Sequence, residues 1–284
     1  SSRGGQHTIE LPERAGLQSV EINDVAQPIR QEYRRVTLPI VPGAQRARVV
    51  WRQAEGVTRL FSAPLVDLGA TSVNAEVHVR MPRDRWVLLL GGPRMGPAVL
   101  FWSLLAVYAL IAVGLGRVRI TPLRARHWFL LALGLTQVNV SVAAVVVGWL
   151  LALGWRGRQS DGATRFSFNL TQILIVAWTV LAIAGLVWAI QQGLLGLPEM
   201  QITGNQSNAH LLRWYQDRAD AILPQAWVLS VPLMIYRFVM LAWALWIAQA
   251  LLGWLRWGWG CFASGGIWQP RRPAGGAPVQ QQTG

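Results

Sequence analysis

The sequence predicts a membrane protein: an α-helical bundle of four transmembrane helices preceded by a small all-β sandwich domain. Three observations carry this expectation. Hydrophobic residues make up 52% of the chain and charged residues only 14%, with a mean hydropathy of +0.32, a composition far from that of a soluble domain. Short segments in which apolar and polar residues alternate fill residues 9–92. Apolar runs long enough to cross about 30 Å of hydrocarbon follow from residue 98 onward.

Residues 1–8 read as a disordered start. The opening SSRGGQHT has neither Met nor a charged-then-apolar leader pattern, so a processed start or a longer parent polypeptide is expected. In SVNAEVHVR, residues 72–80, Val73, Ala75, Val77 and Val79 fall on one face and Asn74, Glu76, His78 and Arg80 on the other. That is the period of a half-buried strand. LQSVEI, RRVTLPIV, RARVVWRQ, TRLFSAPLVDL and RWVLLL read alike, separated by Pro, Gly, Asn and Asp turn signals. Strands recurring at spacings of about ten residues predict an antiparallel sandwich. A domain of about 85 residues buries a limited core and folds alone only marginally.

GGPRMGP, residues 91–97, reads as a hinge into a transmembrane domain over 93–262. The four expected spans are 98–116, 128–155, 170–195 and 228–255. Residues 263–284, rich in Pro, Gly and Gln, read as a disordered tail. Arg counts on the two sides of a four-span arrangement tie at six each. The density of Arg117, Arg119, Arg124 and Arg126 after the first span places that connector in the cytoplasm. The β domain and both termini are then expected in the periplasm.

All 26 basic residues are Arg, which excludes Schiff-base, P-loop and kinase-type lysine chemistry. The formal net charge of +13 is spread through the first ninety positions and the connectors without an aromatic-interleaved stripe. Anionic lipid headgroups are therefore the expected counter-charge, and nucleic acid is not an expected partner. Cys261 is the single cysteine, so neither a disulfide nor a Cys/His metal cluster is available. No catalytic residue, cofactor or metal is assigned.

Gln137, Asn139 and Ser141 stand near the middle of the second expected span, where amides need partners. They read as interhelical polar contacts holding the bundle, with a polar path as the alternative. Ala144, Gly148 and Ala152 on that run, and Gly185, Ala189 and Gly193 on the next, recur every fourth position and predict a tight helix pair. Arg237 reads as snorkelling to lipid phosphates from a helix end begun near Pro232, or else as a buried counter-charge. Trp243 and Trp246 lie deeper than the interfacial tryptophans and are expected to pack against lipid, a helix or a ring-bearing ligand.

The stretch GNQSNAHLLRWYQDRAD, residues 204–220, holds most of the acid–base groups of the second half of the chain. Leu211, Tyr215, Ala219 and Ile222 recur at one-turn spacing, which predicts an interfacial amphipathic helix over 207–223. Leu211, Trp214, Tyr215, Arg218, Arg237, Trp243 and Trp246 are the expected lipid or partner contacts. His210, Glu199, Asp217 and Asp220 are the candidates for acid–base work. On a helix His210 and Asp217 would be two turns apart, too far to bond directly. No nucleophile elbow or HExxH stands nearby.

GLLGLPEMQITGNQSN, WYQDR, VPLMIYRFVMLAWALW and WLRWGWGCFASGGIW, with DRWVLLLGGPRMGPAVLFW at the hinge, resemble the C-terminal part of large inner-membrane proteins of Gram-negative proteobacteria. The likeness covers most of residues 80–268. It implies a compartment, the bacterial inner membrane with a periplasmic β module, and a larger parent chain; no activity or site residue comes with it. The expected role is a non-enzymatic anchoring, scaffolding or accessory subunit bound to anionic lipid and to other membrane protein subunits. The alternatives are a transporter or channel component, or an envelope enzyme acting on lipid or glycan.

Overall fold

The computed structural model describes residues 4–158, 165–264 and 266–268. Among them the chain forms nine strands, four helices, three more strands and a fifth helix. It divides into two compact units, a β unit of residues 1–104 with 198–236 and a helical unit of 105–197 with 237–284. The β unit is therefore discontinuous in sequence.

Its first core uses consecutive residues. β1 (Gly5–Glu10) pairs antiparallel with β4 (Arg35–Ile40), and β2 (Gly16–Ile22) pairs with both β3 (Val25–Ala26) and β5 (Ala47–Arg52). Asn23 and Asp24, at φ 51° and 64°, form the two-residue turn between β2 and β3. This left-handed geometry matches the twist of the flanking strands, and Asn and Asp tolerate it better than other side-chain-bearing residues. Alternate residues then turn inward: Val20 from β2, and Val36 and Leu38 from β4, close on Ile9 and Leu11.

The second core draws on both sides of the helical insertion. β7 (Ser72–Arg80) pairs along its length with β11 (Leu211–Ala219), and β12 (Trp227–Pro232) lies between β6 (Leu60–Ser62) and β8 (Arg85–Gly91). Val79, Met81 and Val87 meet Leu212, Trp214 and Val228 there. β9 (Ala98–Val99) pairs with β10 (Ile202–Thr203) beside the chain's exit to the helices and its return.

These findings correct the predicted architecture. A bundle of four transmembrane helices behind a self-contained sandwich is replaced by a large β-rich part in several sheets and five helices, of which two are long apolar ones. The run 98–116 yields α1 (Phe101–Arg117), of 17 residues. The run 128–155 is broken into α2 (Ala125–Leu135) and α3 (Val140–Arg156). The break has a chemical cause in residues 136–139: Thr136 Oγ1 donates to the Leu133 carbonyl at 2.7 Å, and Asn139 Oδ1 accepts from the Ser141 amide at 3.0 Å. Short polar side chains that bond to nearby backbone end one helix and cap the next. The run 228–255 begins as strand β12, and its helix starts only at Leu233.

The amphipathic helix expected over 207–223 is strand β11. Its i, i+4 apolar spacing is compatible with a helix, but Leu212 and Trp214 turn to the core at period two. The start is ordered from Gly5 as part of β1, with residues 1–3 outside the described residues. The expected tail lies mostly outside them as well; Ala263 is the last residue of a helix, and 269–284 are not described.

Two helices of 31 residues, α4 (Arg165–Leu195) and α5 (Leu233–Ala263), are long and apolar enough to cross a membrane. Within the chain only 22% and 28% of their most apolar stretches are buried. The helical unit packs through glycines. Gly148 of α3 receives the Trp178 indole, whose Nε1 donates to the Val145 carbonyl at 2.9 Å, and Gly185 of α4 faces Val142. Gly193 of α4 faces Met240 of α5 instead of α3, and Gly134 of α2 receives Trp243.

Candidate functional site

The polar face of β11 is assembled by a strap and a turn. GGPRMGP is closely packed backbone. A Cβ on Gly96 would collide with the Trp214 indole, and one on Gly92 would come within 2.8 Å of Ala226 Cα. Seated so closely, the strap presents the Met95 carbonyl at 2.8 Å to both the Tyr215 amide and Asn205 Nδ2. Asn205 lies in a turn closed by the Ser207 amide on the Gly204 carbonyl at 2.9 Å. Asn205 and Gln206 hold φ of 48° and 56° there, the left-handed pair of a hairpin-type turn.

Tyr215 borders two hollows. The larger, of about 660 Å³, lies among the strap residues Gly92–Met95, the β11 residues Gln216, Asp217 and Arg218, and Gln225. The smaller, of about 290 Å³, has Glu76, His78, Gln206 and Arg213 around it. His78 Nε2 stands 3.2 Å from Glu76 Oε2, and Arg213 Nη1 donates to Gln206 Oε1 at 3.1 Å. The Tyr215 hydroxyl donates to Asn74 Oδ1 at 2.7 Å. The Asp217 carboxylate beside it, then partial loss of solvent, then the charge of Glu76 hold the phenol above its ordinary ionisation range. Both hollows offer hydrogen-bond donors and acceptors of both charge signs, a surface suited to binding polar groups.

The candidate acid–base residues are dispersed. His210 and Asp217 stand at opposite ends of an extended segment, roughly 23 Å apart at about 3.3 Å per residue. His210 Nδ1 is buried without a partner, while Asp217, Asp220 and Glu199 are exposed. Among the described residues no group of three His, Cys, Asp or Glu could hold a metal ion.

The expected contact residues also separate. Trp214 is buried at 2% exposure in the second core, and Trp243 at 5% donates its Nε1 to the Leu130 carbonyl at 2.8 Å; both pack within the chain and are not presented to lipid or to a partner. Trp246 is half-buried, edge-to-face with Trp254 at 6.2 Å. Leu211 and Tyr215 are half-buried on β11, and Arg218 and Arg237 are exposed. Gln137 donates to Thr136 Oγ1 at 3.1 Å, so the trio with Asn139 and Ser141 builds the α2–α3 break. Arg94 and Gln225, at the larger hollow, were not singled out from sequence; the crowding of three glycines around Arg94 in GGPRMGP is the signal that pointed there.

No family model matches this chain, no curated protein matches it in sequence, and no solved structure matches its fold.

Proposed function

We propose that this chain is a non-enzymatic membrane-anchored accessory or scaffolding subunit whose β unit offers the Tyr215 face to another envelope protein. The observation that carries the membrane part is the exposure of α4 and α5. A helix apolar on all sides must be covered by protein or by lipid, and here most of the apolar stretch is left uncovered by the chain itself. In α5 the apolar stretch from Phe238 to Leu255 is bounded by exposed Arg237 and Arg256. They stand nineteen positions apart on the helix, about 28 Å at 1.5 Å per residue, close to the thickness of a hydrocarbon core. Both guanidinium groups can then reach phosphates. The inner membrane of a bacterium, with the β unit in the periplasm, is the compartment this reading adopts.

The non-enzymatic part is supported by the dispersal of His210, Glu199, Asp217 and Asp220 over the β unit. The two-signed polar hollows beside the strap suit a protein partner better than an apolar ligand. Purification in mild detergent tests the reading. The wild type and a Gly56→Ala control should carry one co-purifying protein in fixed ratio, and Arg94→Glu with Tyr215→Ala should lose it. Retention of the partner by that double variant, or a wild type that purifies alone, would overturn the docking face.

A further inference from the structure

The helical unit concentrates its charge at one end. It contains eleven Arg and, as its single carboxylate, Asp161. The α1–α2 connector carries Arg117, Arg119, Arg124 and Arg126, all exposed. The helix ends that bear the others are gathered round that connector. The close approach of Gly154 to the Ile120 carbonyl, and the hydrogen bond from Arg158 to the Arg119 carbonyl, bring the end of α3 to it. Gly157 abuts Cys261, and Arg156 Nη2 donates to the Ser264 carbonyl at 2.8 Å, which adds the end of α5, with Arg256 about two turns before its last residue. Gln172 Nε2, bonded to the Phe262 carbonyl at 3.0 Å, adds the beginning of α4. Arg165 heads α4 in sequence, and Arg271 and Arg272 follow α5.

At the opposite end Gly193 of α4 meets Met240 of α5, and Arg237 is the unit's one arginine there. α2 and α3 both have their basic ends at the same pole, so this pair returns to the side from which it starts. The six-to-six tie rests on counting that pair as a single crossing, which puts Arg156 and Arg158 opposite Arg117–Arg126.

We infer that the pole formed by the α1–α2 connector and the ends of α3 and α5 rests on anionic phospholipid headgroups of the cytoplasmic leaflet. This rests on the membrane reading above. Among the described residues Arg117, Arg119, Arg124, Arg126, Arg158 and Arg256 are exposed at one pole and Arg237 alone at the other, and such asymmetry near span ends sets orientation, whereas a folded domain translocates largely regardless of its own charge. The negative potential of the cytoplasmic leaflet draws basic groups close to its surface. In chain order the β unit joins α1 at its start, α4 at its end and α5 at its start.

Single cysteines in a Cys261→Ser background test this in the full chain. The two sites are Gly56 in the β unit and Val118 in the α1–α2 connector, both exposed. A membrane-impermeant maleimide is applied to intact spheroplasts, with both sites shown to react in detergent. Gly56→Cys should label in intact spheroplasts and Val118→Cys only after permeabilisation. The reverse pattern, or partial labelling of both in fixed proportion, would overturn the orientation while leaving a membrane protein. Recovery of the chain in the soluble fraction, or full labelling of both sites without permeabilisation, would instead remove the membrane reading itself. In nanodiscs, exchanging phosphatidylcholine for a mixture with phosphatidylglycerol should raise the thermal midpoint, and the gain should shrink in the quadruple variant Arg117→Gln/Arg119→Gln/Arg124→Gln/Arg126→Gln. An equal midpoint in the two lipids would overturn the assignment of the pole to anionic headgroups.

Discussion

The two cores of the β unit are built from similar side chains but differ in how far apart in sequence their strands lie. The first closes within residues that run consecutively from β1 to β5, with one left-handed turn and pairs no more than a few dozen residues apart. The second pairs β7 with β11 and β8 with β12, across the whole helical insertion. Long loop closure costs conformational entropy before any contact rewards it, although the cost rises only slowly with length. The second core is thus coupled to the correct placement of α1–α4 through its own strands, and the first through Leu68, which packs on it and whose amide donates to the Ala221 carbonyl.

The largest expected break in that contrast is Trp214→Ala. Removing a fully buried indole from the second core costs about 3–5 kcal/mol. Hydrogen exchange followed by mass spectrometry should show lost protection in β6–β8, β11 and β12 while β1–β5 remain protected; uniform loss would mean the two cores are one cooperative unit. Next is Gly96→Ala, whose new methyl group has no room beside the same indole and should cost about 1–3 kcal/mol through overpacking. Gly56→Ala, with nothing within 4 Å of the added carbon, is its neutral control. Asp24→Gly should sharpen the comparison from the other side, stabilising the first core by up to about 1 kcal/mol, because glycine adopts the left-handed turn without a side-chain penalty. A denaturant midpoint for β1–β5 that falls would contradict the turn geometry.

The smallest effect concerns Tyr215. With its phenol held above the usual value near 10.0 by Asp217, a ring-resonance titration assigned by Tyr215→Phe should place its ionisation on the alkaline side, and Asp217→Asn should move it down. The sign follows from charge: a neighbouring carboxylate disfavours phenolate, so removing that carboxylate makes the proton easier to lose. An unchanged titration in Asp217→Asn would show that the two groups do not interact.

Much of the first core was legible because its strands alternate cleanly between turn residues such as Asn23 and Asp24. β7 was legible for the same reason, although Val73, beside Asn74 at φ 55°, is 68% exposed. β11 was not, since LLRWYQDRA carries apolar residues at both period two and period four, and only its partner strand β7 decides between them. The α2–α3 break was hidden because the apolar residues flanking TQVN outweigh Thr136, Gln137 and Asn139 in any long window. The face around Tyr215 needed the strap and the 204–208 turn to be folded onto β11, contacts between residues about 110 positions apart, and no local pattern specifies that. The basic pole was hidden for a related reason: the arginines were visible, but which helix ends they share depends on where α2 turns back.

The insertion of four helices inside a β unit has a consequence for biogenesis. The ribosome completes β8 at Gly91 and does not begin β11 until Leu211, roughly 120 residues later, which at about 5–20 residues per second is a wait of about 6–24 s. Throughout that interval β6, β7 and β8 have been synthesised without the strands that cover them, so the nascent chain presents unpaired edges and half a hydrophobic core while α1–α4 are still being made. Unpaired strand edges of this kind are templates for pairing with a neighbouring chain, so the hazard lasts until β11 and β12 emerge to cover them.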